Sequence, residues 1–245
     1  MKDLSKVLPQ QSALDWHMPR LPHIRIPRFR LQTPDSDNRS AIELYISERF
    51  AEVHKAQVSH FLPNIISLRC GGEYSAAVGL SPATEGKLFL EQYLPNPVEQ
   101  VISEKLGFDV PRSQILEIGN LVSTWKGSSL LLFIVIGEVM ERLGFRYVVF
   151  TGTREVKALL KRVRYSPVVL ANADPSVLSD GGLSWGTYYS NQPQVMFGDN
   201  LPPMEAARKN PMYRATVAAI SLPINRICAE FRAYNSMNVR GENHE

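Results

Sequence analysis

The sequence predicts one α/β (α+β) domain, a mixed central sheet flanked by helices, followed by a C-terminal helical extension. Three observations predict it. Short apolar runs bounded by glycine alternate with stretches of helical periodicity. Residues 114–172 read as a strand–loop–helix–strand core. After Pro203 the pattern is helical only. These divide the chain into an extended arm (1–36), the α/β domain (37–200) and the helical extension (201–245).

In the arm, Pro19, Pro22 and Pro27 interleave with Arg20, Arg25, Arg28 and Arg30, and proline blocks helix and removes backbone donors. Its reading is an extended basic strap, whose charge also suits anionic lipid or an acidic partner. Ser40 with Glu43 forms a capping-box pattern. Ile42, Ile46, Phe50 and Val53 then recur on one helical face. Asn64–Arg69 and Tyr74–Leu80 read as a hairpin turning at Cys70-Gly71-Gly72, and Leu88–Tyr93 as a further strand. Asn96-Pro97-Val98-Glu99 supplies an N-cap, a first-turn proline and a capping acid for a short helix to about Leu106.

Gln114–Val122 is the clearest central strand. A helix follows over Ser128–Leu143, then a strand over Phe145–Phe150 and an amphipathic helix over Arg154–Val163, with Thr153 as its cap. Ser179–Asn200, rich in glycine and aromatics, reads as one long irregular stretch, a kind of segment that is often functional. Pro223 is expected to start a helix carrying Ile224, Ile227, Cys228 and Phe231.

Composition excludes several classes. A net charge of +3 is too small to argue for nucleic-acid binding. Two cysteines define neither a disulfide framework nor a zinc site and fit a reducing compartment. The five histidines lack metal-ligand spacing, so no metal is expected; His54 and His60 read as surface or core residues. Met1–Gln11 has no apolar signal core, and Leu130–Ile136 is too short to span a bilayer. The expectation is a cytoplasmic protein, with peripheral membrane contact left open.

The stretch Val122-Ser123-Thr124-Trp125-Lys126-Gly127-Ser128-Ser129 carries a strand through a turn into a helix N-terminus. There, free backbone N–H groups and the helix dipole favour an anion, Lys126 adds charge, and the serines add hydroxyl donors. The spacing is not that of a Walker loop. A plain helix cap by Ser128 is the alternative. Gly119, isolated in a strand, marks a bulge or a close backbone approach. A bulge there brings Glu117 and Asn120, otherwise on opposite faces, to one side.

The runs Leu88-Phe89-Leu90-Glu91-Gln92-Tyr93-Leu94, Pro97-Val98-Glu99, Glu117-Ile118-Gly119-Asn120-Leu121, Val149-Phe150-Thr151-Gly152-Thr153, Ala171-Asn172-Ala173-Asp174-Pro175 and Trp185-Gly186-Thr187-Tyr188-Tyr189 follow one another over about residues 40–200. In that order they resemble the thermostable hemolysin family, whose core is similar to the GNAT acyltransferase fold and to acyl-homoserine-lactone synthases. The resemblance implies an N-acyltransferase that moves an acyl group, expected to be fatty, to a small amine or amino acid. The donor is acyl-CoA or acyl carrier protein, held along residues 122–129. The usual GNAT loop, Q/R-x-x-G-x-G/A, is absent, which moves the expectation from acetyl-CoA toward a longer or protein-bound acyl group. The basic arm suits an acidic carrier protein.

Amine acylation needs a base, oxyanion donors and an acid for the leaving thiolate. Glu91 and Glu117 are the candidate bases, Asn120 the positioning group, and Tyr188 (with Tyr189 as its substitute) the acid. Gln92, Tyr93, Trp185 and Tyr189 are the candidate substrate-binding residues. Glu99 and Trp185 also have structural readings, as a capping acid and a core anchor. Two other functions stay open: a membrane-acting haemolysin, and a GNAT-like domain that binds an acyl ligand or a partner without turnover.

Overall fold

The computed structural model of the chain describes residues 27–124, 127–154, 156–157, 160 and 165–241. Seven strands form one sheet: β1 (Arg28–Gln32), β2 (Asn64–Cys70), β3 (Glu73–Pro82), β4 (Ile115–Ser123), β5 (Tyr147–Gly152), β6 (Val168–Asn172) and β7 (Gln194–Asp199). Their order is β1-β2-β3-β4-β5-β7-β6. Every pairing is antiparallel except β4 with β5. The helices are α1 (Arg39–His54), α2 (Val98–Leu106), α3 (Ser128–Leu143), α4 (Leu201–Arg208), α5 (Pro211–Ala219) and α6 (Ser221–Gly241).

Alternation along the strands builds two cores. Leu68, Val78, Leu80, Leu116, Val148 and Phe150 face α3 and the C-terminal helices, meeting Leu132, Val135, Val139, Ile224 and Phe231. Each such buried side chain contributes about 1.5–3 kcal/mol by leaving water. On the opposite face, Ile115, Tyr147, Val149 and Val195 pack against Leu90, Val98 and Ile102. Farther along that face, Ile65, Ala77 and Val122 meet Ile42 and Ile46 of α1. The C-terminal helices therefore share the main core. Glu138 of α3, also buried, ties them down by accepting from Tyr213 Oη at 3.0 Å and pairing with Arg142 and Arg208. No helix among the described residues is long and apolar enough to cross a membrane.

Several expectations are corrected. Residues 28–32 of the arm form edge strand β1, since Phe29 and Leu31 reach the core; residues 1–26 lie outside the described residues. The Ser40–Glu43 capping box does not form: α1 begins after Asn38, and Glu43 instead pairs with Arg39 at 2.6 Å. Leu88–Tyr93 is not a strand. Phe89–Tyr93 is a 3-10 turn, because carboxylates rather than a neighbouring strand take its N–H groups. Asn96 and Glu99 do not cap α2; the Val98 N–H goes to Glu91 at 2.8 Å. The irregular stretch ends at β7, whose Val195, Met196 and Phe197 fill both cores. The helix expected over Arg154–Val163 falls largely outside the described residues, although Thr153 Oγ1 does accept the Val156 N–H.

The expected bulge is present, one residue on from Gly119. Ala77 pairs with Val122 and Gly79 with Gly119, so Val78 opposes both Asn120 and Leu121. Asn120 is left-handed (φ 50°), a conformation asparagine tolerates better than most residues. Its side chain accepts the Leu62 N–H at 2.9 Å and donates to the His60 carbonyl at 3.0 Å. Across the ladder, a Cβ on Gly79 would lie 2.9 Å from both Asn120 Oδ1 and Leu62 Cβ, so only glycine fits. The bulge bends β4 away from β5. Their pairing ends at Ile118↔Phe150; beyond it β4 keeps β3, and Thr151 and Gly152 keep β7.

Candidate active site

A side chain with no local signal in the sequence organises one wall. Arg112, just before β4, uses all five N–H donors. Nε reaches the Ala83 carbonyl (2.6 Å), Nη1 reaches Glu91 (2.6 Å) and Glu99 (2.5 Å), and Nη2 reaches the Gly86 carbonyl (2.7 Å) and Glu91 (2.9 Å). Glu91 also accepts the Leu88 and Val98 N–H groups. Burial alone would raise its carboxyl. The Arg112 hydrogen bonds, the two backbone N–H groups and the Arg112 charge outweigh burial and hold it below the usual carboxylate range. Beside this hub an open groove of about 690 Å³ is lined by Thr84, Lys87, Asn96 and Pro97, among others.

Glu117 lies on β4, on the face that carries Ile115, and is 4% exposed. Its two oxygens accept the Phe89 N–H (2.9 Å) and the Leu90 N–H (3.1 Å). Burial pushes its carboxyl up to about 8, against the pull of those N–H groups and with help from the Glu91 charge. The two candidate bases thus differ sharply: Glu91 is a saturated, paired carboxylate held low, whereas burial raises Glu117. Gln92 turns back to the Phe89 carbonyl (2.8 Å) and braces the same turn. Asn120 reaches the Glu117 side of the sheet, yet both ends of its amide hold the 60–62 backbone.

Aromatic side chains from four segments meet over this wall. His60 stacks on Phe89 with ring centroids 4.5 Å apart. Trp185 touches Phe50, Phe89, Tyr188 and Tyr189. The Tyr93 and Tyr189 hydroxyls are 2.5 Å apart, and burial, followed by the Tyr189 contact, raises the Tyr93 phenol. Tyr188 stands edge-on to His54 and donates to the Thr151 carbonyl at 3.2 Å; burial raises its phenol as well. The sequence-predicted Glu117, Tyr93, Trp185, Tyr188 and Tyr189 are brought together here. Phe50, His54 and His60 join them without a spacing that would have announced it.

The 3-10 turn Leu183–Trp185 carries Trp185, and the turn Tyr189–Asn191 carries Tyr189, with Tyr188 just before it. This segment is clamped to the end of α1: Gln57 N–H donates to Ser184 O (2.6 Å) and Thr187 N–H to His54 O (2.7 Å). Contact is so close that a Cβ on Gly186 (φ 55°) would lie 2.2 Å from the His54 carbonyl oxygen. Gly186→Ala is therefore expected to detach the segment. Hydrogen exchange over 183–191 should accelerate while the core amides of α3 stay protected.

α3 packs on the opposite face of the sheet and starts shortly after the end of β4. Val122 packs under α1, Ser123 is buried, and Thr124 bonds to the Ser75 carbonyl and approaches Tyr45 Oη at 3.3 Å. Trp125 and Lys126 lie outside the described residues. Gly127 precedes the first turn, and no side chain caps it. Ser128 and Ser129 are 0% and 6% exposed, and neither hydroxyl has a hydrogen-bond partner among the described residues. The plain cap by Ser128 is thus not made. Both hydroxyls lie at the positive end of a 16-residue helix.

The sequence matches the family model described as thermostable hemolysin over residues 32–202, more than half of the chain. No curated protein matches it in sequence. Among solved structures, the AHL synthase LasI superposes with a TM-score of 0.50 at 10% identity, covering 72% of this chain and 91% of LasI. TofI, in an apo form, superposes with a TM-score of 0.50 at 16% identity, covering 76% of this chain and 99% of TofI. At such identities the likeness shows the fold, the GNAT-like mixed sheet expected from the sequence. Family and fold agree with the order of the motifs along the strands: the chain belongs to the thermostable hemolysin family.

Proposed function

We propose that this protein is an N-acyltransferase that moves an acyl group from acyl-CoA or acyl carrier protein to a small amine or amino acid. The observation that carries the reading is the opening beyond Ile118↔Phe150 between two parallel strands. Ser128 and Ser129 start the helix that follows β4, and Glu117 stands on β4 just before the opening. The donor's phosphates meet Ser128, Ser129 and the α3 N–H groups, and its thioester enters between the strands. Glu117 takes a proton from the acceptor's ammonium. The free amine attacks the carbonyl, the C–S bond of the tetrahedral adduct breaks, and Tyr188 protonates the departing thiolate. The nitrogen's second proton passes to the Tyr188 phenolate, giving an amide and a thiol with Glu117 left protonated. The aromatic wall of Tyr93, Trp185 and Tyr189 receives the acceptor, and Glu91, Gln92 and Asn120 position the backbone around it. A fatty amide is amphiphilic, which connects the reaction to haemolysis through a product.

Calorimetric titration with CoA, decanoyl-CoA and decanoyl acyl carrier protein tests the donor site. Wild type is expected to bind at least one of the three. Ser128→Ala/Ser129→Ala should bind it about 5–30-fold more weakly, for the loss of two hydrogen bonds to an anion. Wild type that binds none, or serine variants that bind unchanged, would contradict the donor assignment.

A further inference from the structure

Thr151 is the last hydroxyl-bearing residue on β5 and lies immediately past the final β4 rung, Ile118↔Phe150. Its side chain shares a face with Val149, the register partner of Glu117, and it stands about 6.6 Å of strand beyond that rung. Across the ladder it pairs with Val195, whose side chain belongs to the same core as Val149. Thr151 therefore faces the Glu117 side of the opening. Its Oγ1 is shielded from solvent and has no hydrogen-bond partner among the described residues. An unpaired, shielded hydroxyl is destabilising, and a strand threonine gains nothing from it that valine would not supply. The neighbouring atom is fixed from outside the sheet, because Tyr188 Oη donates to the Thr151 carbonyl at 3.2 Å.

We propose that Thr151 Oγ1–H is the donor that binds the thioester carbonyl oxygen and strengthens its hold as that oxygen becomes the tetrahedral oxyanion. Thr151 is then a catalytic residue of the acyl-transfer reaction, and the assignment rests on that reading. No bond to Thr151 forms or breaks. Its proton stays on Oγ1 while negative charge develops on the carbonyl oxygen, and the interaction is worth most when that charge is greatest.

The test compares Thr151→Val, which keeps the shape and removes the hydroxyl, with Thr151→Ser, which keeps the hydroxyl. Two probes are titrated: decanoyl-CoA, and S-decyl-CoA, a thioether with no carbonyl. Thr151→Val is expected to bind decanoyl-CoA about 3–10-fold more weakly than wild type and S-decyl-CoA equally well, with a melting temperature unchanged or raised. Acyl transfer should fall about 100-fold in kcat, with donor KM rising by no more than the roughly 3–10-fold loss of affinity, and Thr151→Ser should restore most of it. Equal weakening toward both probes, or full activity in Thr151→Val, would overturn the assignment. Wild type that binds neither probe would instead remove the acyl-donor reading, and this assignment with it.

Discussion

Glu117→Gln is expected to lower acyl transfer at least 100-fold while leaving CoA affinity within about threefold of wild type, because a general base contributes about 10²–10⁴. Glutamine keeps the shape and one acceptor oxygen, sets its NH2 against the other of the Phe89 and Leu90 N–H groups, and cannot take a proton. The wild-type pH profile carries a second signature. With the carboxyl pushed up to about 8 by burial, kcat/KM should rise through neutrality and level off above about pH 8. The same shift has a stability consequence with a definite sign. Between its ordinary value of 4.5 and about 8, the folded chain holds a proton that the unfolded chain has released. The stabilisation is fully present below that window, falls by up to about 1.4 kcal/mol per pH unit across it, and is gone above it. Glu117→Gln should flatten this slope in denaturant titrations between pH 5 and 8. Glu91 acts in the opposite sense. Its carboxyl is held low, so its contribution is present above its ordinary value and disappears as the pH falls through its folded value.

Arg112→Met should cost about 3–5 kcal/mol of stability, the usual range when one partner of a buried ion pair is removed. Glu91 would then be buried without its cation, and the Ala83 and Gly86 carbonyls would lose their donor. Arg112→Lys is expected to recover little, since an ammonium cannot reproduce a planar fork of five donors. Urea unfolding at pH 7 measures the loss directly. A functional effect should accompany it, because the turn that offers the Phe89 and Leu90 N–H groups to Glu117 is braced through Glu91. With those N–H groups displaced, the Glu117 carboxyl should move higher still, and the activity profile should shift to more alkaline pH.

The parts of the fold legible in the sequence are those whose stability is local. The strand at 115–123, the helix at 128–143 and the strand at 147–152 are apolar runs punctuated by glycine, and they sit within a residue or two of expectation. Glu117 and Asn120 could be placed on one side of β4 because Gly119 hinted at a bulge. What stayed hidden depends on distant partners. Leu88–Tyr93 has a strand-like composition, but Glu91 and Glu117 satisfy its N–H groups, and Glu117 lies 27 residues away from Leu90. Strand β7 is six residues long, and its pattern is masked by the glycine- and aromatic-rich turns before it. Arg112 carries no motif, and its meaning appears only when the 83–99 segment folds back over it. Residues such as Asn120, Gln92 and Glu91 also show why a shared motif does not by itself name catalysts: each spends its polar atoms holding backbone.

Formation of an amide from a thioester is the reaction on which the proposed function stands or falls. Mass spectrometry of reactions containing purified protein, acyl-CoA and acyl carrier protein donors from two to sixteen carbons, and a panel of amines and amino acids measures it most directly. The expected products are an N-acylated amine and an equal amount of free thiol, both strongly reduced in Glu117→Gln. Thioesters that persist with every donor and acceptor, in the presence of folded wild-type protein, would contradict it.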